Sequence, residues 1–399
     1  VYTGYVMKRQ GGSYVFERNE SIVPLEGAES KLLSVDAVDE FVNLKQGVAV
    51  GVMEGFNREL RVDVEKLLKY HGGVFGFTGV GKSNLTSVIV RKILENLPNT
   101  KVAVIDVAGE YGVGLADQIE RYGAIYTTED YEIAEDKVEA FLSSQAIPES
   151  LYEELSKAGA EDALDGYAKA LFNNNKVRKV NLEIMSFERM LTALEGFDRP
   201  EAQSLAIDLR KILEDNQLPV TLSVDELVAN KDVLTKIIQA VERCRSDLEG
   251  KYHPPEKLIA QLELMDKVLN DVLKTSAEGK PMASTADEIA AKLTNAEEPE
   301  RLSVIYIPDP VDARQFASQL IDALFAIRKR RAKGSRVLVV LDEAQEFIPD
   351  KTSKEDLTAD SNIAVERLLR QGRKYRLHGW VSTQRVAHLN VNAIQQIQS

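Results

Sequence analysis

The residues best suited to chemistry in this 399-residue chain form one short run, Gly76-Phe77-Thr78-Gly79-Val80-Gly81-Lys82-Ser83. The run fits G-x-x-x-x-G-K-[ST], a phosphate-binding P-loop. Its glycines let the backbone curl so that successive N–H groups point at phosphate oxygens. Lys82 is spaced to neutralise the β- and γ-phosphates as a point charge, and the Ser83 hydroxyl to ligate Mg²⁺. The helix that follows turns its positive N-terminal end toward the same phosphates. The expected nucleotide contacts are Thr78, Gly79, Val80, Gly81, Lys82, Ser83 and Asn84, and the expected cofactors are ATP and Mg²⁺. A Gly-rich turn without a ligand is the bland alternative; a strand before the run and a helix after it argue against that.

A second run, Val337-Leu338-Val339-Val340-Leu341-Asp342-Glu343, is an apolar strand ending in two carboxylates. Strands buried on both faces read this way, and open α/β sheets place ligands at the C-terminal ends of their strands. Asp342 is expected to hold Mg²⁺, and Glu343 to orient and polarise an attacking water. Gly379-Trp380-Val381-Ser382-Thr383-Gln384-Arg385 ends another strand, and the amide of Gln384 can donate to both phosphate and water. Ahead of it lies a basic turn, Arg370-Gln371-Gly372-Arg373-Lys374-Tyr375-Arg376. Arginine's planar fork suits phosphoryl oxygens. Two functional readings compete for Arg373, an arginine finger on a neighbouring subunit and a DNA contact, beside the plain one of a solvated turn. Arg328-Lys329-Arg330-Arg331-Ala332-Lys333 is read as the cationic end of a helix. His71, His253, His378 and His388 lack metal-ligand spacing and are read as structural.

These motifs need a sheet to hold them. A strand at 73–77, an amphipathic helix over 79–97 and a strand at 102–105 make a βαβ unit and hence a parallel sheet, with a third strand expected at 124–127. Residues 302–307, 337–341 and 377–383 read as strands and 313–331 and 362–371 as helices, so the same α/β style returns. Short strands at 1–7, 13–17, 38–42, 47–53 and 59–64 suggest a small sheet or part of a barrel. Residues 128–300 read as an all-helical, acidic insertion with segments over 200–214, 224–248 and 255–273. It carries capping boxes at Ser223/Glu226 and Thr285/Glu288. The expected division is a β domain at 1–66, an α/β core at 67–127 and 301–399, and a helical insertion at 128–300.

Composition limits the function classes. One cysteine, Cys244, excludes a disulfide framework and a Cys-rich zinc site; a cytoplasmic location is expected. No run approaches the roughly 18 apolar residues that a spanning helix needs. The net charge of -13 is uneven: residues 1–100 are neutral, 101–300 carry -18 and 301–399 carry +5. Whole-chain acidity therefore does not exclude a nucleic-acid partner for the basic end.

Taken in order, the motifs resemble a known set. The residues are 62–71 ahead of the P-loop, Asp106-Val107-Ala108-Gly109-Glu110-Tyr111, Leu341 to Pro349, Gly372-Arg373-Lys374 and Ser382-Thr383-Gln384-Arg385. The set resembles the HerA family of hexameric DNA-translocating ATPases, within the HerA–FtsK superfamily. The likeness covers residues 45–127 and 302–399. It departs where Ala108 and Gln345 stand, positions at which the family usually or often has His. The resemblance implies a RecA-like P-loop core with a shortened N-terminal barrel, continuing beyond residue 399. It implies a homo-hexamer with ATP at the subunit interfaces and DNA, contacted without sequence preference, in a central channel. It further implies a NurA-like nuclease or another effector as partner. VirB-type conjugation and DNA-import ATPases and HerA-like phage-defence proteins share the superfamily motifs. A nucleotide-binding assembly switch is the alternative from another class, and the retained Glu343 counts against it.

Overall fold

The computed structural model describes residues 4–19, 27, 29, 31–42, 46–77, 79–182, 187–220, 227, 230–250, 255–278, 283–331, 333–353 and 356–397. Strands β1 (Gly4–Gln10) and β2 (Ser13–Asn19) form an antiparallel hairpin, followed by helix α1 (Val35–Val42). Strands β3 (Val48–Met53) and β4 (Arg58–Val62) form a second hairpin. The hairpins are separate two-stranded sheets. The strand expected at 38–42 is the second half of α1. Ser34 Oγ accepts the Ala37 N–H (3.3 Å) and so supplies a helix start. Phe41 then packs against Tyr5 and Phe16 of the first hairpin, with ring centres 5.0 and 4.8 Å apart. That apolar surface, supplied by distant residues, overrides the β-propensity of the valines.

The core follows as α2 (Val64–Lys69), β5 (Gly72–Phe75), α3 (Lys82–Asn96), β6 (Thr100–Asp106), α4 (Tyr111–Gly114), α5 (Ala116–Tyr122) and β7 (Gly123–Thr127). The middle of the chain contributes α6 (Lys137–Ser144), α7 (Glu149–Lys157), α8 (Ala163–Asn173), β8 (Val177–Lys179), α9 (Phe187–Glu195), α10 (Pro200–Asp215), α11 (Lys231–Glu249), α12 (Glu256–Glu278) and α13 (Ala286–Thr294). The chain then forms β9 (Leu302–Tyr306), α14 (Pro310–Arg330), β10 (Arg336–Leu341), α15 (Thr358–Gln371), β11 (Leu377–Thr383) and α16 (Val391–Ile394).

Seven strands make one sheet in the order β5-β11-β10-β6-β9-β7-β8, and every pairing in it is parallel. Alternation along the strands sends side chains to two cores. Ala103, Ile105, Val337 and Val339 bury against α13, α14 and α15 on one face. Val102, Val104, Leu338 and Val340 bury against α3, α5, α6 and α8 on the other. This is the α/β architecture expected from the motifs.

The middle of the chain is not helical throughout. β8 pairs with β7, and the Ile125 and Val180 N–H groups each find a carbonyl across that junction at 2.7 Å. Val177-Arg178-Lys179 is too short and too charged to stand out as a strand by pattern. It extends because β7 offers it a hydrogen-bonding edge. Arg178 closes the junction by donating to Tyr126 Oη (2.8 Å) and Glu300 Oε2 (2.6 Å). Helices α9 to α12, by contrast, bury Leu205, Leu209, Leu213, Leu234, Ile237 and Leu262 in a core of their own. The Thr285/Glu288 capping box is formed, with reciprocal bonds of 3.1 and 3.2 Å. The box expected at Ser223/Glu226 lies outside the described residues. No helix among the described residues is long and apolar enough to cross a membrane.

Candidate active site

A parallel sheet gathers the C-terminal ends of its strands on one edge, and the register determines which ends meet. Phe75 of β5 lies level with Thr383 of β11, and Leu341 of β10 with Val381 of β11 and Ile105 of β6. The residues just beyond these ends are Gly76, Gln384, Asp342 and Glu343, and Asp106 closes β6. Four segments far apart in sequence thus deliver their polar termini to one place.

The phosphate loop leaves β5 there. The Gly76 N–H donates to the Thr383 carbonyl at 3.3 Å, tying the loop to β11. Gly79 and Gly81 take φ of 79° and 85°, a left-handed conformation that only glycine adopts without strain. Gly81 begins α3 in that conformation. Lys82 is the first residue of α3, and its side chain folds back across the loop so that Nζ donates to the Phe77 carbonyl at 3.2 Å. An ammonium has three donors, and one carbonyl leaves it capacity for phosphate oxygens. Ser83 and Asn84 follow in the first turn of α3, Ser83 half-buried and Asn84 exposed. Val80 is exposed. Thr78 lies outside the described residues.

Asp342 is buried at the end of β10. Burial pushes its carboxyl up to about 7; Glu110, Asp106 and Glu343 push in the same direction, and the Ser382 hydroxyl opposes them. Asp106 is fully buried and raised to about 6, again chiefly by burial. Its Oδ1 accepts the N–H groups of Ala108, Gly109 and Glu110 (3.1, 2.8 and 3.3 Å), and its Oδ2 that of Tyr111 (2.9 Å). Asp106 is therefore committed to shaping a turn. That turn brings Glu110 toward Asp342, and the buried Oε2 of Glu110 has no hydrogen-bond partner.

A magnesium–nucleotide complex suits this donor set. A buried carboxylate among like charges and an orphaned carboxylate oxygen are both stabilised by a divalent cation. Among the described residues no three His, Cys, Asp or Glu side chains are arranged to hold a metal by themselves.

Glu343 stands one residue further on, in a left-handed backbone conformation (φ 46°, ψ 54°). Both of its carboxylate oxygens accept amide donors: Gln384 Nε2 reaches Oε1 at 3.3 Å, and Gln345 Nε2 reaches Oε2 at 2.6 Å. Lys82, Ser83, Asp342, Glu343 and Gln384 are thus assembled on one edge of the sheet.

Arg373 is not among them. It lies in the 3₁₀ turn Gly372–Tyr375, which enters β11 at the opposite edge. Its guanidinium is stacked over the Tyr70 ring at 4.7 Å. Arg370 pairs with Glu366 at 2.9 Å. The basic helix end is structural in part: Arg328 is buried and donates to the carbonyls of Lys333 (3.1 Å) and Ser335. His71 and His378 are buried beside each other, held neutral chiefly by desolvation, with His71 lowered to about 4 and His378 to about 3. Pattern reasoning passed over Asp106 and Gln345 as site-builders. The visible signals were an Asp at the end of a buried strand with a turn after it, and an amide two residues beyond Glu343.

The family profile described as "Helicase HerA, central domain" matches residues 48–309, more than half the chain. The chain belongs to this family. The matched residues include the phosphate loop, and the α/β core is accordingly that of a P-loop ATPase. The DNA double-strand break repair helicase HerA of Pyrococcus furiosus is 31% identical over 99 residues, which are 24% of this chain and 18% of that protein. The match therefore spans less than a fifth of that relative's length. Among solved structures, VirB4 of Thermoanaerobacter pseudethanolicus is similar with a TM-score of 0.44 and 13% identity, over 89% of this chain and 81% of that one. The plasmid coupling protein TrwB in complex with ADP and Mg²⁺ has a TM-score of 0.41 and 14% identity, over 88% of this chain and 70% of that one.

Proposed function

We propose that this protein hydrolyses ATP with Mg²⁺ and uses the energy to move DNA through a ring of six identical subunits. The observation that supports the chemistry best is the bracketed carboxylate of Glu343, with Gln384 at 3.3 Å, on the same strand edge as Lys82 and Asp342. Lys82 and the loop N–H groups bind the β- and γ-phosphates. Ser83 and Asp342 hold Mg²⁺, which supplies charge neutralisation on the phosphate oxygens. Glu343 orients the attacking water and accepts its proton, and Gln384 holds that carboxylate in place while standing close enough to sense the γ-phosphate. Little covalent work is asked of the protein, so catalysis is positioning and electrostatics.

Arg373 acts in this reading on the nucleotide of the neighbouring subunit. Its own phosphate loop is at the far edge of the sheet, and a ring brings the entering edge of one subunit toward the site of the next. DNA binding through phosphates is salt-sensitive and indifferent to sequence. A NurA-like nuclease or another effector docks on the ring, and the protein works in the cytoplasm. The β domain at 1–66 and the insertion at 128–300 are carried by the ATPase core at 67–127 and 301–399. Phosphate release by the purified protein, measured with and without duplex DNA, tests the reading. Turnover that DNA stimulates and Lys82→Ala abolishes supports it. Nucleotide binding without turnover, with or without DNA, sinks it in favour of an assembly switch.

A further inference from the structure

Gln345 lies in the 3₁₀ turn Ala344–Glu346, and the reaction described above does not use it. Its side chain is nonetheless committed at both ends. Nε2 donates to Glu343 Oε2 at 2.6 Å, and Oε1 accepts the Thr383 hydroxyl at 2.5 Å. Chemistry sets the direction of this chain. An ionised carboxylate only accepts, so the amide must turn its nitrogen to Glu343. The Thr383 hydroxyl already accepts the Arg385 N–H at 3.0 Å, which leaves its proton for Gln345. The Thr383 carbonyl in turn receives the N–H of Gly76, the first residue of the phosphate loop, at 3.3 Å. A continuous path through the peptide and side chain of Thr383 therefore joins the phosphate loop to the Glu343 carboxylate.

We propose that Gln345 is a positioning residue that orients Glu343 and couples it to the phosphate loop through Thr383. The inference rests on Glu343 being the residue that activates water. Glu343 occupies a backbone region that few non-glycine residues adopt. Its side chain leaves the strand in a direction that the sheet does not dictate, so a partner has to fix it. Gln345 does this from the same turn by the shorter of the two amide bonds, which leaves Gln384 at 3.3 Å as the looser one.

The test uses the full chain with Gln345→Ala, Gln345→His, Thr383→Val and Glu343→Gln, read by phosphate release, by titration with a fluorescent ATP analogue and by urea unfolding. Gln345→Ala is expected to lower kcat about tenfold or more while leaving nucleotide affinity within about threefold of the parent. Gln345→His restores most of the loss, because a neutral imidazole also offers one donor and one acceptor. In a Glu343→Gln background Gln345→Ala causes no further loss. Without nucleotide, the unfolding effects of Gln345→Ala and Thr383→Val are non-additive, as expected for a shared chain. Should Gln345→Ala not fold, the near-isosteric Gln345→Glu sets one carboxylate against another and must show the same loss of turnover. Normal kcat in Gln345→Ala, with Glu343→Gln inactive, overturns the proposal and leaves the role of Glu343 standing. Full turnover in Glu343→Gln overturns both. Additive unfolding effects overturn the coupling through Thr383.

Discussion

The Gln384 side-chain amide donates to the Glu343 carboxylate at 3.3 Å across 41 residues of sequence. The contact exists because β10 and β11 are adjacent and parallel, in a register that sets Leu341 against Val381. Glu343 stands two residues beyond that level pair and Gln384 three, so their side chains meet past the ends of the two strands. A shift of one residue in this register would carry the amide roughly 3.3 Å along the strand and out of reach.

Glu343→Gln is expected to bind ATP and hydrolyse it on the order of 10² to 10⁴ times more slowly. The amide keeps the shape and loses the proton-accepting carboxylate. A nucleotide-binding titration and a phosphate-release assay on the same preparation check this, and unchanged turnover would move the general base elsewhere.

Arg373→Ala is expected to leave nucleotide binding intact and to lower turnover by about 10³ or more. Mixed with Lys82→Ala subunits it should recover part of the activity, because some interfaces then hold both groups. If each variant assembles and exchanges subunits yet the mixture stays inactive, action across the interface is wrong. Normal hydrolysis with loss of DNA stimulation would make the turn a DNA contact.

Asp106→Asn is expected to destabilise the core by about 1 to 3 kcal/mol. The carboxylate accepts four backbone N–H groups. An amide keeps one accepting oxygen, leaving at least one buried donor unpaired. Urea unfolding of the nucleotide-free protein measures the change. An effect within error would mean that the turn holds itself.

His71 and His378 make stability depend on pH in a predictable direction. Burial holds them neutral, at about 4 and about 3, against an ordinary value near 6.5. In the unfolded chain they take up protons as the pH falls below about 6.5, while the folded chain does not. Their contribution is complete above 6.5 and is lost progressively as the pH falls, toward 4 for His71 and 3 for His378, at up to roughly 1.4 kcal/mol per pH unit for each. Asp342 and Asp106, raised to about 7 and about 6, act with the opposite sign over the same range, so the histidine effect is read as a difference: between pH 7.5 and 4.5 the urea midpoint of His378→Phe should fall less, or rise more, than that of the parent. An NMR titration showing either ring protonated near pH 6.5 in the folded protein would contradict this.

Local chemistry made much of this protein readable. The P-loop spacing is legible because its geometry comes from neighbouring residues: two glycines at left-handed φ, a lysine and a helix start, all within one turn of chain. The apolar run of β10 could be read as a buried strand because burial on both faces leaves no polar alternation. The strands and helices of the ATPase core followed for the same reason. Tertiary structure decided what depends on partners remote in sequence. Residues 38–42 are helical because the first hairpin supplies rings for Phe41 to pack on. Val177-Arg178-Lys179 is a strand because β7 has a free edge. Only the strand order and register show that Gln384 and Gln345 both reach Glu343, whereas Arg373 stands at the opposite edge of the sheet. Those positions follow from hydrogen bonding between strands, which is set by packing of the whole sheet and not by any residue's neighbours in sequence.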